Sequence, residues 1–226
     1  MISWQSMVVI DCYAIADIIQ ALLLVNDPKY VETRWRGTLL TMAAALAIST
    51  FNVVVASHLS WCEGFFATLH FFAFVPVIVA LFVMAPKRSA KDVFLNFTQS
   101  DDAHWPDTSI AVLVGQISNL FVMLGSDGVA HLAEEVEDSG VVLPSAMLYS
   151  YLVNAPLTLL MAVVYCFSIT SIPKVLESPM PFVIVFHDTF QETTPTIAFA
   201  TVVLGLLIMV ALSALAATSR QIFAFA

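Results

Sequence analysis

Apolar residues gather into six runs along the chain, at about 4–25, 38–56, 63–84, 109–130, 144–169 and 196–217, and nearly all the charge lies between them. A bilayer core is crossed by roughly 20 consecutive, mostly apolar residues, so each run predicts a transmembrane helix. The first has no basic leader and carries Asp11 and Asp17 inside it, which reads as a span rather than a signal peptide. Asn26, Asp27 and Pro28 close it, and Trp35, Arg36 and Gly37 mark the interface before the second. The third ends at Ala85, Pro86, Lys87 and Arg88, and Pro144 sits near the start of the fifth, where a missing N–H costs little. Between the fifth and sixth runs, Phe182, Val185 and Phe186 recur at helical spacing within 181–190. That segment is too short to span and predicts a helix lying on the surface.

Composition agrees with an all-α membrane protein treated as a single transmembrane domain over 1–226. Of 226 residues 60% are apolar and 11% charged, against about 25% charged in soluble domains. Eight bases against seventeen acids leave a net charge of −9, which disfavours nucleic acid as a partner, because that binding rests on Lys and Arg neutralising phosphates. Cys12, Cys62 and Cys166 lie far apart in apolar stretches, with neither disulfide nor zinc spacing, and are expected to pack as small hydrophobes. Lys29, Arg34, Arg36, Lys87, Arg88, Lys91 and Lys174 all fall after spans one, three and five, so the positive-inside rule makes those loops cytoplasmic.

Polar groups inside spans are the functional candidates, since a charge at the bilayer centre costs at least ~2.5 kcal/mol on insertion scales. Ser6, Tyr13, Asp17 and Gln20 line one face of the first span, a face expected to meet protein or water. Asp11 lies off it, without assignment. Ser150, Asn154 and Thr158, with Tyr165 further on, form a row on the fifth span, and Glu63 shares a face with His70 on the third. Hydrogen bonds between helices are the expected role of the rows on the first and fifth spans, whereas Glu63 is expected at the interface and His70 bonded to a neighbouring backbone, with a proton relay as the alternative.

The fourth span carries the strongest signal. After the apolar run 117–124 come Gly125, Ser126, Asp127 and Gly128, and each glycine lowers helix stability by ~1 kcal/mol relative to alanine. A helix would open here, and backbone freed at membrane depth is tolerated only where it is buried in protein or lines a cavity. Secondary transporters build binding sites from such broken helices; the alternative is that the span ends at Leu124 and Asp127 is hydrated. His131, Glu134 and Glu135 lack the second histidine of a zinc protease helix, and neither a phosphate loop nor a G-x-S-x-G elbow occurs. No catalytic residues, metal ligands or cofactor site are expected.

Three blocks carry a resemblance. Gly125-Ser126-Asp127-Gly128-Val129-Ala130-His131-Leu132-Ala133-Glu134-Glu135-Val136, followed by Val142-Leu143-Pro144-Ser145-Ala146-Met147, resembles the G-x-D-x-x-x-H-M-S-E-E-V and V-P-x-x-M of fungal amino acid, GABA and choline permeases. These belong to the amino acid, polyamine and organocation superfamily. Arg34-Trp35-Arg36-Gly37-Thr38-Leu39-Leu40 resembles that family's R-W-H-G-T-L-L, and the chain end from Ala217 to Ala226 resembles its A-T-A-S-R-Q-x-F-A-F-A.

The resemblance implies a transporter rather than an enzyme, with two inverted five-helix repeats, of which this chain matches family spans three to eight. It implies substrate contacts from Gly125, Ser126, Asp127 and Gly128, with Phe121 and Leu124 closing over the substrate and looser matches at Tyr13 and Ser213. The implied partners are a small amino acid or amine, a candidate coupling proton and the lipid bilayer. The plasma membrane is the expected location, and a truncated, non-transporting relative is the alternative. The family orientation places 26–37, 85–107 and 170–195 outside, opposite to the basic-residue count, and is the orientation expected here.

Overall fold

The computed structural model describes residues 2–27, 29–55, 58–96, 105–122, 125–178 and 180–224. Among them every regular element is a helix: α1 (Ile2–Asn26), α2 (Arg34–Val55), α3 (Leu59–Met84), α4 (Ala90–Phe94), α5 (Thr108–Val122), a 3-10 helix (Gly128–Glu135), α6 (Ser139–Ser168), α7 (Ile172–Leu176), α8 (Pro181–Phe190) and α9 (Thr193–Ala224). Among the described residues α1, α2, α3, α6 and α9 are long and apolar enough to cross a membrane. The expected span at 109–130 is described as the helix α5 as far as Val122 and, from Gly125 on, as irregular backbone.

The chain forms two compact units, one from 1–85 with 170–226 and the other from 86–169. In the first, α1 packs against α2 and α9. Cys12, Ile15, Ile48, Ala211 and Leu212 form the core of that packing, bordered by Val8, Ala44, Ala45, Phe66 and Leu215. Lipid tails are as apolar as leucine, so helices associate in a membrane where small residues admit close approach. The buried alanines of α9, at 200, 211, 214, 216 and 217, supply that here. At the edge of α2, the Arg36 guanidinium lies 5.4 Å from both the Tyr30 and Trp35 ring centroids, the interfacial aromatic and basic pairing that their sequence neighbourhood predicts.

The segment 181–190 is a helix, as its apolar spacing predicts, and one face of it packs against protein. Val183, Val185 and Phe186 of α8 are buried. The ring of Phe186 meets Phe182, Phe190 and Phe199 at centroid distances of 5.8, 6.3 and 6.0 Å. Asp188 accepts a hydrogen bond from Thr170 (3.1 Å) and pairs with Lys174, so the charged side of α8 is tied to α7.

In the second unit α6 begins at Ser139 behind Asp138, whose φ of 52° and ψ of 39° place it in the left-handed region. Pro144 therefore falls inside the helix rather than at its first position. The N–H it lacks is one that would have bonded within the helix. Of the cysteines, Cys12 is buried and packs as expected, Cys62 is half-buried and Cys166 is exposed.

Candidate functional site

The predicted break is present at the predicted residues. Gly125 has a φ of 98°, a conformation L side chains rarely adopt, and glycine reaches it without steric penalty. Residues 125–127 turn, with the Gly128 N–H donating to the Gly125 carbonyl at 3.0 Å and the Ala130 N–H to the Asp127 carbonyl at 2.9 Å. The following 3-10 helix runs eight residues, Gly128–Glu135, where runs beyond three or four are uncommon because the hydrogen-bond geometry is poorer. A stretch of that length marks a segment held away from the α-helical ladder.

Asp127 is the last residue before the 3-10 helix and makes no side-chain cap. Its carboxylate is instead 3.8 Å from His131 Nε2, one turn on, and its side chain is 57% exposed. Gly125, Ser126 and Gly128 are half-buried. The segment therefore offers a solvated carboxylate, a hydroxyl and backbone groups of irregular geometry, a set suited to holding a small polar ligand. Phe121 belongs to α5, and Leu124 lies outside the described residues.

Tyr13 and Ser213 sit in the other unit. Tyr13 is 57% exposed and pairs with Asp17 one turn along α1, off the face that α1 buries. The Ser213 hydroxyl is half-buried, and both of its acceptors belong to the protein: Glu63 Oε2 on α3 at 2.9 Å and the Met209 carbonyl at 3.1 Å. Glu63 is thus engaged with α9 rather than placed at an interface, while His70 is exposed.

Other polar rows differ from expectation. On α6 the Asn154 amide donates to the Ser150 hydroxyl at 3.3 Å within one helix and in an exposed position. The interhelical bond that sequence reasoning missed is on α2. Asn52 Nδ2 donates to the Leu212 carbonyl of α9 at 3.2 Å as well as to its own Ile48 carbonyl. Leu212 and Ser213, adjacent on α9, are therefore bonded from α2 and from α3. Asp11, left unassigned by its spacing, is 7% exposed and Gln20 is 3% exposed; Asp11 Oδ2 and Gln20 Oε1 are buried without a hydrogen-bond partner. Asp11 shares a helical face with Ile15 and Ile18, both buried, and that alignment was the available signal. Among the described residues no three His, Cys, Asp or Glu side chains gather as a metal site. The apolar groove along Ala43, Leu46, Ala47, Thr50 and Phe51 on α2 offers one hydroxyl, Thr50, which donates to the Leu46 carbonyl at 2.7 Å.

A family model described as amino acid permease matches residues 1–226. The chain belongs to the amino acid permease family. Two uncharacterized amino-acid permeases of Schizosaccharomyces pombe (strain 972) are similar to it. One is 24% identical over 92% of this chain and 39% of its own length, the other 26% identical over 93% and 37%. A transmembrane transporter of Metarhizium robertsii is 30% identical over 55% of this chain and 24% of its own length. The chain thus spans about two fifths of the length of the first two relatives. No solved structure matches it. Membership of this family and the five long apolar helices make the chain part of an integral membrane protein, in a family of permeases rather than enzymes.

Proposed function

We propose that this permease chain contributes half of the substrate pathway of a secondary transporter for amino acids or related amines, GABA and choline among them. In this reading the chain is part of an inverted-repeat fold in the plasma membrane, and the segment Gly125–Gly128 meets the substrate. The observation that carries it is the break itself: a left-handed glycine followed by a long 3-10 helix, in a chain of the amino acid permease family. An exposed carboxylate at Asp127 suits the ammonium group that these substrates share, either as primary amine or as its methylated form. Helix ends and irregular backbone at a break supply the remaining polar contacts.

The test is uptake of radiolabelled amino acids, GABA and choline in transporter-deficient cells carrying the natural gene, with Gly125→Ala and Asp127→Asn beside the parent. Saturable uptake is expected for the parent. Forcing a Cβ into the left-handed region costs roughly 1–2 kcal/mol, so Gly125→Ala is expected to cut uptake about tenfold while surface expression persists. Asp127→Asn should raise the half-saturating concentration for a cationic substrate. Parent uptake no greater than the empty vector would overturn the transport reading, and unchanged uptake by both variants would overturn the placing of the site.

A further inference from the structure

α1 buries a carboxylic acid to which the segment 125–128 gives no role. Asp11 is 7% exposed, and among the described residues its Oδ2 is buried without a hydrogen-bond partner. Along α1 it stands beside Cys12 and one turn from Ile15, which pack with Ile48 of α2 and with Ala211 and Leu212 of α9. The acid therefore sits where α1 is held by its two partner helices, in the other unit from Gly125 and Asp127.

Among the described residues no Lys, Arg or His pairs with Asp11, and the register of the helices explains why. The ionisable groups of α2 are Arg34 and Arg36. Gly37 lies against Gln20 while Ile48 shares the core with Cys12, so α1 and α2 run antiparallel and both arginines stand toward or beyond Gln20. The rise from residue 11 to residue 20 is roughly 13 Å at 1.5 Å per residue. On α9 the ionisable group is Arg220, separated from Leu212 by a rise of roughly 12 Å. The other titratable neighbours bring no positive charge. They are Glu63 of α3, which accepts the Ser213 hydroxyl beside Leu212, and on α1 itself Cys12 and the Tyr13–Asp17 pair.

An ionised carboxylate with neither water nor a partner is so costly in an apolar interior that such a group takes up a proton instead, and ionisable groups inside a membrane mark ion and proton pathways. We propose that Asp11 is a proton-binding site, whose carboxyl holds a proton while α1, α2 and α9 are packed and gives it up when the helices part and water enters. A proton whose retention depends on helix packing is taken up and released by helix movement, which is what coupling a proton to transport demands. That use rests on the transport reading, whereas the binding of the proton does not.

The test uses the full purified chain in detergent and needs no uptake. Infrared spectra of the parent, Asp11→Asn, Asp11→Glu and Asp17→Asn are compared at neutral pH. The parent is expected to show the C=O band of a protonated carboxyl, shifting in deuterium oxide. Asp11→Asn should lose that band, Asp17→Asn should keep it, and Asp11→Glu should show it at a displaced frequency. A parent without the band, or a band that persists in full in Asp11→Asn, would overturn the site. So would its disappearance on adding sodium at constant pH, which would make Asp11 a ligand for a metal cation. Unfolding followed by circular dichroism reads the link to packing. One proton held by the folded chain and released by the unfolded one changes the unfolding equilibrium by at most about tenfold per pH unit. The amide of Asp11→Asn keeps the shape of the protonated acid and has no such proton to lose. The parent should therefore lose stability relative to Asp11→Asn as the pH rises from about 5 to about 8, and a difference that stays constant with pH would overturn the proposal.

Discussion

α1 and α6 are both apolar helices of membrane length, yet they are used differently. α1 buries seven of its residues, Asp11, Cys12, Ile15, Ala16, Ile18, Gln20 and Ala21. α6 has 30 residues and buries Val164 and Ser168. Mean hydropathy does not separate them, at 2.1 for the richest part of α1 and 1.7 for that of α6. What separates them is the partner: α1 is met by α2 and by the alanines of α9. Where the surroundings are hydrocarbon, apolar area alone gives two helices no reason to join, and close approach with interhelical hydrogen bonding decides.

That account can be broken at Ala211, which is fully buried in the core of α1, α2 and α9. Ala211→Leu is expected to destabilise the chain by about 1–3 kcal/mol through overpacking. Leu159→Ala on α6, 65% exposed, should stay within about 0.5 kcal/mol. Thermal unfolding in detergent reads both, and equal losses would show that α6 is as closely packed as α1.

A sharper version uses glycines. A Cβ on Gly37 would stand 3.1 Å from Gln20 Nε2, whereas one on Gly205 meets nothing within 4 Å. Gly205→Ala should stabilise by roughly 0.5–1 kcal/mol through helix propensity, while Gly37→Ala has to displace the buried Gln20 side chain and should lose most or all of that gain. The same melting experiment distinguishes them by the sign of the difference.

Hydrogen bonds between helices should matter less than packing. Ser213→Ala removes the bond to Glu63 and is expected to cost about 0.6 kcal/mol, the average for such bonds in a membrane protein. Asn154→Ala removes a bond within α6 and should cost less. A double-mutant cycle of Ser213→Ala with Glu63→Gln measures the coupling, and a value of zero would remove α3 from the packed set.

The smallest effect lies at the start of α5. The Asp107 carboxylate accepts the Ser109 and Ile110 N–H groups, chiefly the former, and these bonds hold its pKa below the ordinary 3.8. A carboxyl whose folded pKa is depressed stabilises the helix start above its unfolded value. That contribution is present above about pH 4 and fades as the pH falls through the lowered value. The protection factors of the amides in the first turn of α5, which are rates relative to the unstructured chain at the same pH, should fall in that acid window and stay constant in Asp107→Asn.

The helices and the break were legible in the sequence because each has a local cause: runs of apolar residues, and Gly125 and Gly128 around Ser126 and Asp127. The roles of the polar rows were not. Ser and Thr in a helix can bond the carbonyl four residues back, as Thr41, Thr68 and Thr218 do here. Spacing alone therefore could not separate Ser150 and Asn154, which bond within α6, from Asn52 and Ser213, which reach other helices. The buried face of α8 meets Phe199 of α9, a long-range contact that a local pattern does not register.

The first packed unit is assembled from the two ends of this sequence. α1 closes at Asn26 and its main partner α9 begins at Thr193, so the ribosome has to make everything between before the pair can form. At about 5–20 residues per second that interval is on the order of ten to thirty seconds. Throughout it α1 has left the ribosome with Asp11 and Gln20 still lacking the protein that will enclose them, and α2, which follows at once, shields part of its surface. The birth of this molecule therefore includes a period in which α1, with its buried acid and amide, waits at the insertion machinery for α9.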